Sequence, residues 1–226
     1  FGLNLGICVY GGKLKFGGSA LLPLNAALEF LRKIIHTDME NVSERLFDLG
    51  VGVLAQAQKN VLFTGYDTRI DEGVFGVLQT AQAAELLIKS AIAKQHPLLI
   101  FSNVPKSTSV SGELLSVQDI FENGKTHQYA DLPEKLWAST GYKLPHLDTY
   151  RDFGKLRNTI QHFALPGANL RTEAVNFIYK VIDPILEQFW SDYAVNYIDL
   201  EDAQDDMFSL IIAHNVIPRH PDIKKL

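Results

Sequence analysis

From Pro23 onward, the apolar residues of this 226-residue chain recur at spacings of three and four, the period of an α-helix. That pattern restricts the chain to helices packed on helices. It leaves no room for a parallel sheet, and no Gly-x-Gly-x-x-Gly fingerprint is present to sit on one. The exception comes first. Leu5–Tyr10, the pair Gly11-Gly12 and Lys13–Phe16 read as a hairpin, because two glycines supply the positive φ angles of a tight turn, or as a glycine-rich arm. The expected organisation is a hairpin or arm over 1–22 followed by one helical domain over 23–226.

The helices can be placed in turn. Pro23 suits a first turn, with Leu24, Ala27, Leu28, Leu31 and Ile35 forming a stripe that runs to His36. A second helix begins at Ser43, carries Leu46, Leu49, Val53, Leu54, Ala57 and Val61, and stops near Gly65. Gly50 and Gly52 inside it either weaken it or mark the close approach of another helix. Asp71 caps a third helix through Phe75, Leu78, Ala81, Leu86 and Ile92, ending before Pro97. Within it Glu85 and Lys89 stand four apart, the spacing of a surface ion pair, although the apolar neighbours leave a partly buried role open. A later stretch from Arg171 to Tyr197 should kink at Pro184, and Glu201, Asp202, Asp205 and Asp206 suit the first turn of a short final helix through Ile212 better than a metal site.

Between Phe101 and about Pro145 the period breaks down. Prolines, glycines and a Ser/Thr-rich run from Ser107 to Ser111 divide this insertion into loops, with helical pieces around Leu114–Glu122 and Pro133–Ser139. His127, Tyr129, Trp137 and Tyr142 fall in it. Each suits loop packing, and together they could stack a base.

A net charge of −5 argues against a generally basic nucleic-acid binder and confines any RNA contact to a local cationic site. The one cysteine, Cys8, excludes an internal disulfide and suits a reducing compartment. With no apolar run long enough for a bilayer, a cytoplasmic protein without membrane contact is expected. The opening Phe1, in place of Met, fits a trimmed N-terminus. Among the seven histidines there is no His-Glu-x-x-His pattern and no Cys/His cluster, so neither a metal nor another cofactor is expected. His96, His214 and His220 read as capping or surface residues, with the helix dipole favouring the charged form of His96. No Gly-x-Ser-x-Gly supports a hydrolase elbow.

The richest segment is Tyr150-Arg-Asp-Phe-Gly-Lys-Leu-Arg157-Asn158-Thr-Ile-Gln-His162-Phe, a helix capped by Asp148 or Thr149. Phe153, Leu156, Ile160 and Phe163 share its core stripe. Asn158 and His162 point about the opposite way, with Arg157 on a flank. Arg157-Asn158-x-x-x-His162 resembles the motif of the HEPN superfamily, an Arg, usually followed by a polar residue, with a His four to six residues on. Ala83 to Pro97, containing Glu85 and Lys89 as supporting residues, is similar to the helix that precedes that motif in many HEPN domains.

The resemblance implies an all-α bundle that pairs into a homodimer and, in active members, a metal-independent endoribonuclease of the toxin, phage-defence or RNA-processing type, with an antitoxin or other regulatory partner. His162 would act on the ribose 2′-hydroxyl or the departing 5′-oxygen, since an imidazole titrates near neutrality. Arg157 would offer its fork to the phosphate, and Asn158 would orient the imidazole or donate to phosphate. Arg151, Lys155 and Gln161 would bind the RNA. A spacing of five sets Arg157 and His162 about 140° apart on one regular helix. An isologous dimer would bring both copies of Asn158 and His162 into a composite cleft. The competing expectation is a non-catalytic HEPN-like module that binds a nucleotide or RNA, or a helical interaction protein.

Overall fold

The structure, a computed structural model, describes residues 7–10, 13–16, 22–23, 41–63, 72–106, 117–163, 169–198 and 204–221. The chain divides into two compact units, one of 1–41 with 104–124 and one of 42–103 with 125–226.

In the first unit, β1 (Ile7–Tyr10) and β2 (Lys13–Phe16) pair antiparallel with Tyr10 opposite Lys13. The two-residue connection is the one the Gly-Gly pair demands. Leu22–Pro23 forms a third strand, β3, with Pro23 opposite Lys13. Pro23 is therefore in a strand and not in the first turn of a helix; at a sheet edge its missing N–H costs nothing. The stripe expected from Leu24 to His36 lies outside the described residues. Helix α3 (Val117–Asn123) completes what is described of this unit.

The second unit is built around α2 (Glu72–Ala93), which packs against α1 (Val42–Leu62), α4 (Leu132–Thr140), α5 (Leu147–Phe163) and α6 (Leu170–Phe177). Ala83, Ala84, Leu87, Ile88, Ala91 and Ile92 are wholly buried, as expected of a helix surrounded by others. Asp71, the expected cap, lies outside the described residues. Gly50 serves the close approach of α1 to α2, since a Cβ there would stand 3.0 Å from the Leu87 side chain. Gly52 faces open space. Leu49 and Phe75, assigned to apolar stripes, are exposed.

Buried polar groups are paired across long stretches of chain. Ser43 and Ser90 exchange hydroxyl-to-carbonyl bonds of 2.9 and 2.7 Å. Gln58 donates to the Ala194 carbonyl and accepts from the Tyr179 hydroxyl. The last long helical stretch continues through Pro184. One π-turn, Ile178–Ile182, joins α6 to α7 (Asp183–Trp190) and widens the helix just where the proline lacks an N–H. It ends at Trp190, with Ser191 left-handed and a separate 3₁₀ turn over Ala194–Tyr197, so it falls short of the expected span. Helix α8 (Gln204–Ile212) carries Asp205 and Asp206 in its first turn.

The stretch read as an insertion is more ordered than its sequence suggests. A ribbon of β4 (Phe101–Asn103) and β5 (Lys125–Thr126) leads into a 3₁₀ turn at Tyr129–Asp131 and into α4, whose Leu132 and Leu136 are fully buried. His96 lies beyond the end of α2. Its Nδ1 accepts from the Leu98 N–H at 3.2 Å, which caps the following 3₁₀ turn. Among the described residues no helix is long and apolar enough to cross a membrane.

Candidate functional site

Helix α5 positions the candidate site. It starts at Leu147, ahead of the expected caps, with Asp148 inside its first turn. Tyr150, Phe153, Gly154 and Ile160 are its buried stripe. The Phe153 ring stacks on Phe177 of α6 at 4.1 Å and anchors the helix to the core. Phe163, expected on that stripe, is 71% exposed.

One flank of α5 rests on the segment before α4. Tyr129 and Tyr150 stack with ring centroids 4.2 Å apart and planes 4° from parallel. They exchange hydrogen bonds, the Tyr150 hydroxyl donating to the Tyr129 carbonyl at 2.7 Å and the Tyr129 hydroxyl to the Tyr150 carbonyl at 3.3 Å. Only glycine fits at 154, where a Cβ would stand 2.8 Å from the Tyr129 ring. Burial pushes both phenols well above the usual tyrosine range. They are neutral packing groups.

Above this stack lies an open hollow of about 760 Å³, with α5 as one wall and Thr126–Ala130 and Glu85 as the other. The α5 wall carries Arg151, Lys155, Arg157, Asn158, Gln161 and His162. Six of the eight residues singled out in the sequence thus share one helix and one hollow, and Glu85 faces them. Lys89 supports from behind, its Nζ 2.6 Å from Glu85 Oε1 and 3.0 Å from Thr126 Oγ1. The Glu85–Lys89 pair is partly buried, with side chains 26% and 10% exposed.

The cations differ in how far they are engaged. Lys155 pairs with Asp152 at 2.7 Å and Arg151 with Asp148 at 3.9 Å, both exposed. Such pairs are worth little in water and yield readily to a phosphate. Arg157 donates from Nη1 to Asn158 Oδ1 at 3.1 Å, and among the described residues no carboxylate lies within salt-bridge distance of it. Asn158 therefore faces Arg157, and no hydrogen bond to His162 is present among the described residues. His162 is exposed on the last turn, edge-on to Phe163. Although the two side chains diverge around the helix, both border the same hollow, since Arg157 is long and the hollow follows the helix for several turns.

His127 also borders the hollow, and nothing in its local sequence pairs it with α5. Its backbone N–H donates to the Ile100 carbonyl at 2.9 Å. Burial first, and Lys135 second, hold its imidazole below the usual histidine range. The aromatic residues of 101–145 do not form one stacking surface. Tyr129 is committed to Tyr150, Tyr142 packs edge-on against Phe189, and Trp137 lines a separate hollow of about 380 Å³ with Lys143 and Leu147. Gly154, on the apolar face one turn after Tyr150, was the available signal that a ring would pack there.

The other histidines stand elsewhere. His214 Nδ1 lies 3.0 Å from Thr172 Oγ1, and His220 packs against the Tyr193 ring. Among the described residues no three His, Cys, Asp or Glu side chains converge on a metal position. Compared with known proteins, the chain matches no family model, no curated protein and no solved structure.

Proposed function

We propose that the α5 hollow binds RNA and cleaves it without a metal ion, in a helical domain of the HEPN kind that acts as a homodimer. One observation carries the reading: on a chain of net charge −5, Arg151, Lys155, Arg157, Asn158, Gln161 and His162 all line a single open hollow. A local excess of donors and cations on an acidic protein suits a phosphodiester.

In the proposed reaction an imidazole takes the proton of the ribose 2′-hydroxyl as the 2′-oxygen bonds to phosphorus. The bond from phosphorus to the 5′-oxygen breaks, and that oxygen takes a proton from a second imidazole. Arg157 holds the non-bridging oxygens as their charge grows. The products are a 2′,3′-cyclic phosphate and a free 5′-hydroxyl. His162 of each protomer supplies the two imidazoles across the two-fold axis.

Purified protein should cut single-stranded RNA in the presence of EDTA and leave a 2′,3′-cyclic end. His162→Ala should lower the rate at least about 100-fold, as loss of an acid or base does. Arg157→Lys should also impair it, because an ammonium does not reproduce the planar fork. Undiminished cleavage by the His162 variant, or dependence on a divalent ion, refutes the proposal.

A second reading, a non-catalytic RNA or nucleotide-binding module, draws on the orientation of Asn158. Its oxygen is turned to Arg157, so among the described residues Asn158 does not serve as the orienting partner that a general base commonly has. Saturable RNA binding with no product after prolonged incubation selects this reading.

A further inference from the structure

Glu85 is out of character with the hollow it borders. Around it stand cations and amides suited to phosphate, which a carboxylate would repel. Its position is nevertheless fixed. Oε1 accepts from Lys89 at 2.6 Å, and Lys89, only 8% exposed, is itself held by Thr126 at 3.0 Å. Oε2 has no hydrogen-bond partner among the described residues, and the side chain is open to the hollow. Glu85 and Arg157 border the same hollow, one from α2 and one from α5.

A carboxylate fixed by a buried ammonium, with lone pairs left over, recognises a ligand edge that donates twice. Guanine offers that edge in N1–H and the adjacent 2-amino group. Adenine and cytosine place an unprotonated ring nitrogen beside their single amino group, and uracil flanks its one N–H with two carbonyls. Resting on the phosphate-binding reading above, we infer that Glu85 is a specificity-determining residue that selects guanine in the nucleotide whose phosphate Arg157 holds. Oε2 accepts one of the two donors, and Oε1, with one lone pair on Lys89, accepts the other. A base lacking the donors leaves Oε2 desolvated and without a donor, and that penalty, more than the bond itself, makes the choice.

The test is titration of the full chain with guanosine, inosine, adenosine, cytidine and uridine 3′-monophosphates at one fixed salt concentration. Inosine keeps N1–H and lacks only the amino group. Guanosine monophosphate should bind about tenfold or more tightly than the adenosine, cytidine and uridine forms, with inosine between, as one bidentate contact allows. Glu85→Gln should bring guanosine down to the adenosine level. Since that variant also strips Lys89 of its counter-ion, the inosine comparison on the unaltered chain stands as an independent measurement. Equal affinity for all five overturns the assignment of Glu85 and leaves the phosphate site standing. Binding of none of them, inorganic phosphate included, overturns both.

Discussion

The packing of Gly154 against Tyr129 gives a sharp test, because the same substitution at another glycine should have the opposite sign. In Gly154→Ala the new Cβ would lie 2.8 Å from Tyr129 Cε1 and 3.2 Å from Cδ1. Carbon atoms settle at about 3.5–4.0 Å, so the ring must recede by roughly 0.7–1 Å. It has little freedom to do so, being stacked 4.2 Å from Tyr150 and tied to it by two hydrogen bonds. Overpacking of this kind costs about 1–3 kcal/mol, and the better helix propensity of alanine returns up to about 1 kcal/mol. With that return in full, the expected net loss is up to about 2 kcal/mol. Gly52, exposed and mid-helix in α1, has nothing within 4 Å of its added Cβ. Gly52→Ala should therefore stabilise by about 0.5–1 kcal/mol. Equilibrium unfolding in urea, with midpoints compared at unchanged slope, measures both. Equal stabilisation by the two substitutions would show that the Tyr129 ring does not lie against α5, and the described wall of the hollow would fall with it.

Other expectations follow from groups away from the hollow. Asp183 is fully buried and accepts the Ala194 N–H at 2.7 Å and the Arg219 N–H at 2.9 Å, tying two chain segments to the start of α7. Asp183→Ala leaves both donors without a partner, so urea unfolding should show a loss of about 2–4 kcal/mol; a variant as stable as the parent contradicts the pairing. His214 is held below its usual range of about 6.5 by burial first and Arg171 second. It is neutral in the fold, so the stability it contributes is present above pH 6.5 and is lost as pH falls through the depressed folded value. Melting temperatures taken between pH 7.5 and 5.5 should fall less steeply in His214→Asn than in the parent, and parallel slopes would count against the partly buried neutral ring.

The local pattern located the helices well where each lies against a neighbour along its length. The periods over 42–62, 72–93 and 147–163 became α1, α2 and α5 within a few residues, because a stripe at three- and four-residue spacing has one way to be buried. The Gly-Gly pair likewise set the register of β1 against β2. The pattern misled at Leu49, Phe75 and Phe163, which repeat at the right spacing but are exposed. It also missed β3, since strand pairing at Pro23 depends on another segment, and it gave no sign of the π-turn that precedes Pro184.

For the candidate site, the sequence alone determined that Arg151, Lys155, Arg157, Asn158, Gln161 and His162 would ride on one helix, because helical geometry is local and those positions were written into it. It could not determine what that helix faces. Glu85, Thr126 and His127 come to the hollow from 24 or more residues before Arg151, the nearest of the group, and the Tyr129–Tyr150 stack that seats them depends on a glycine being where a ring must pass. Likewise the sequence offered Glu85 and Lys89 as a pair; their partial burial, which fixes the carboxylate at the edge of the hollow, was decided by the ribbon and helices packed around them, since burial belongs to neighbours and not to spacing.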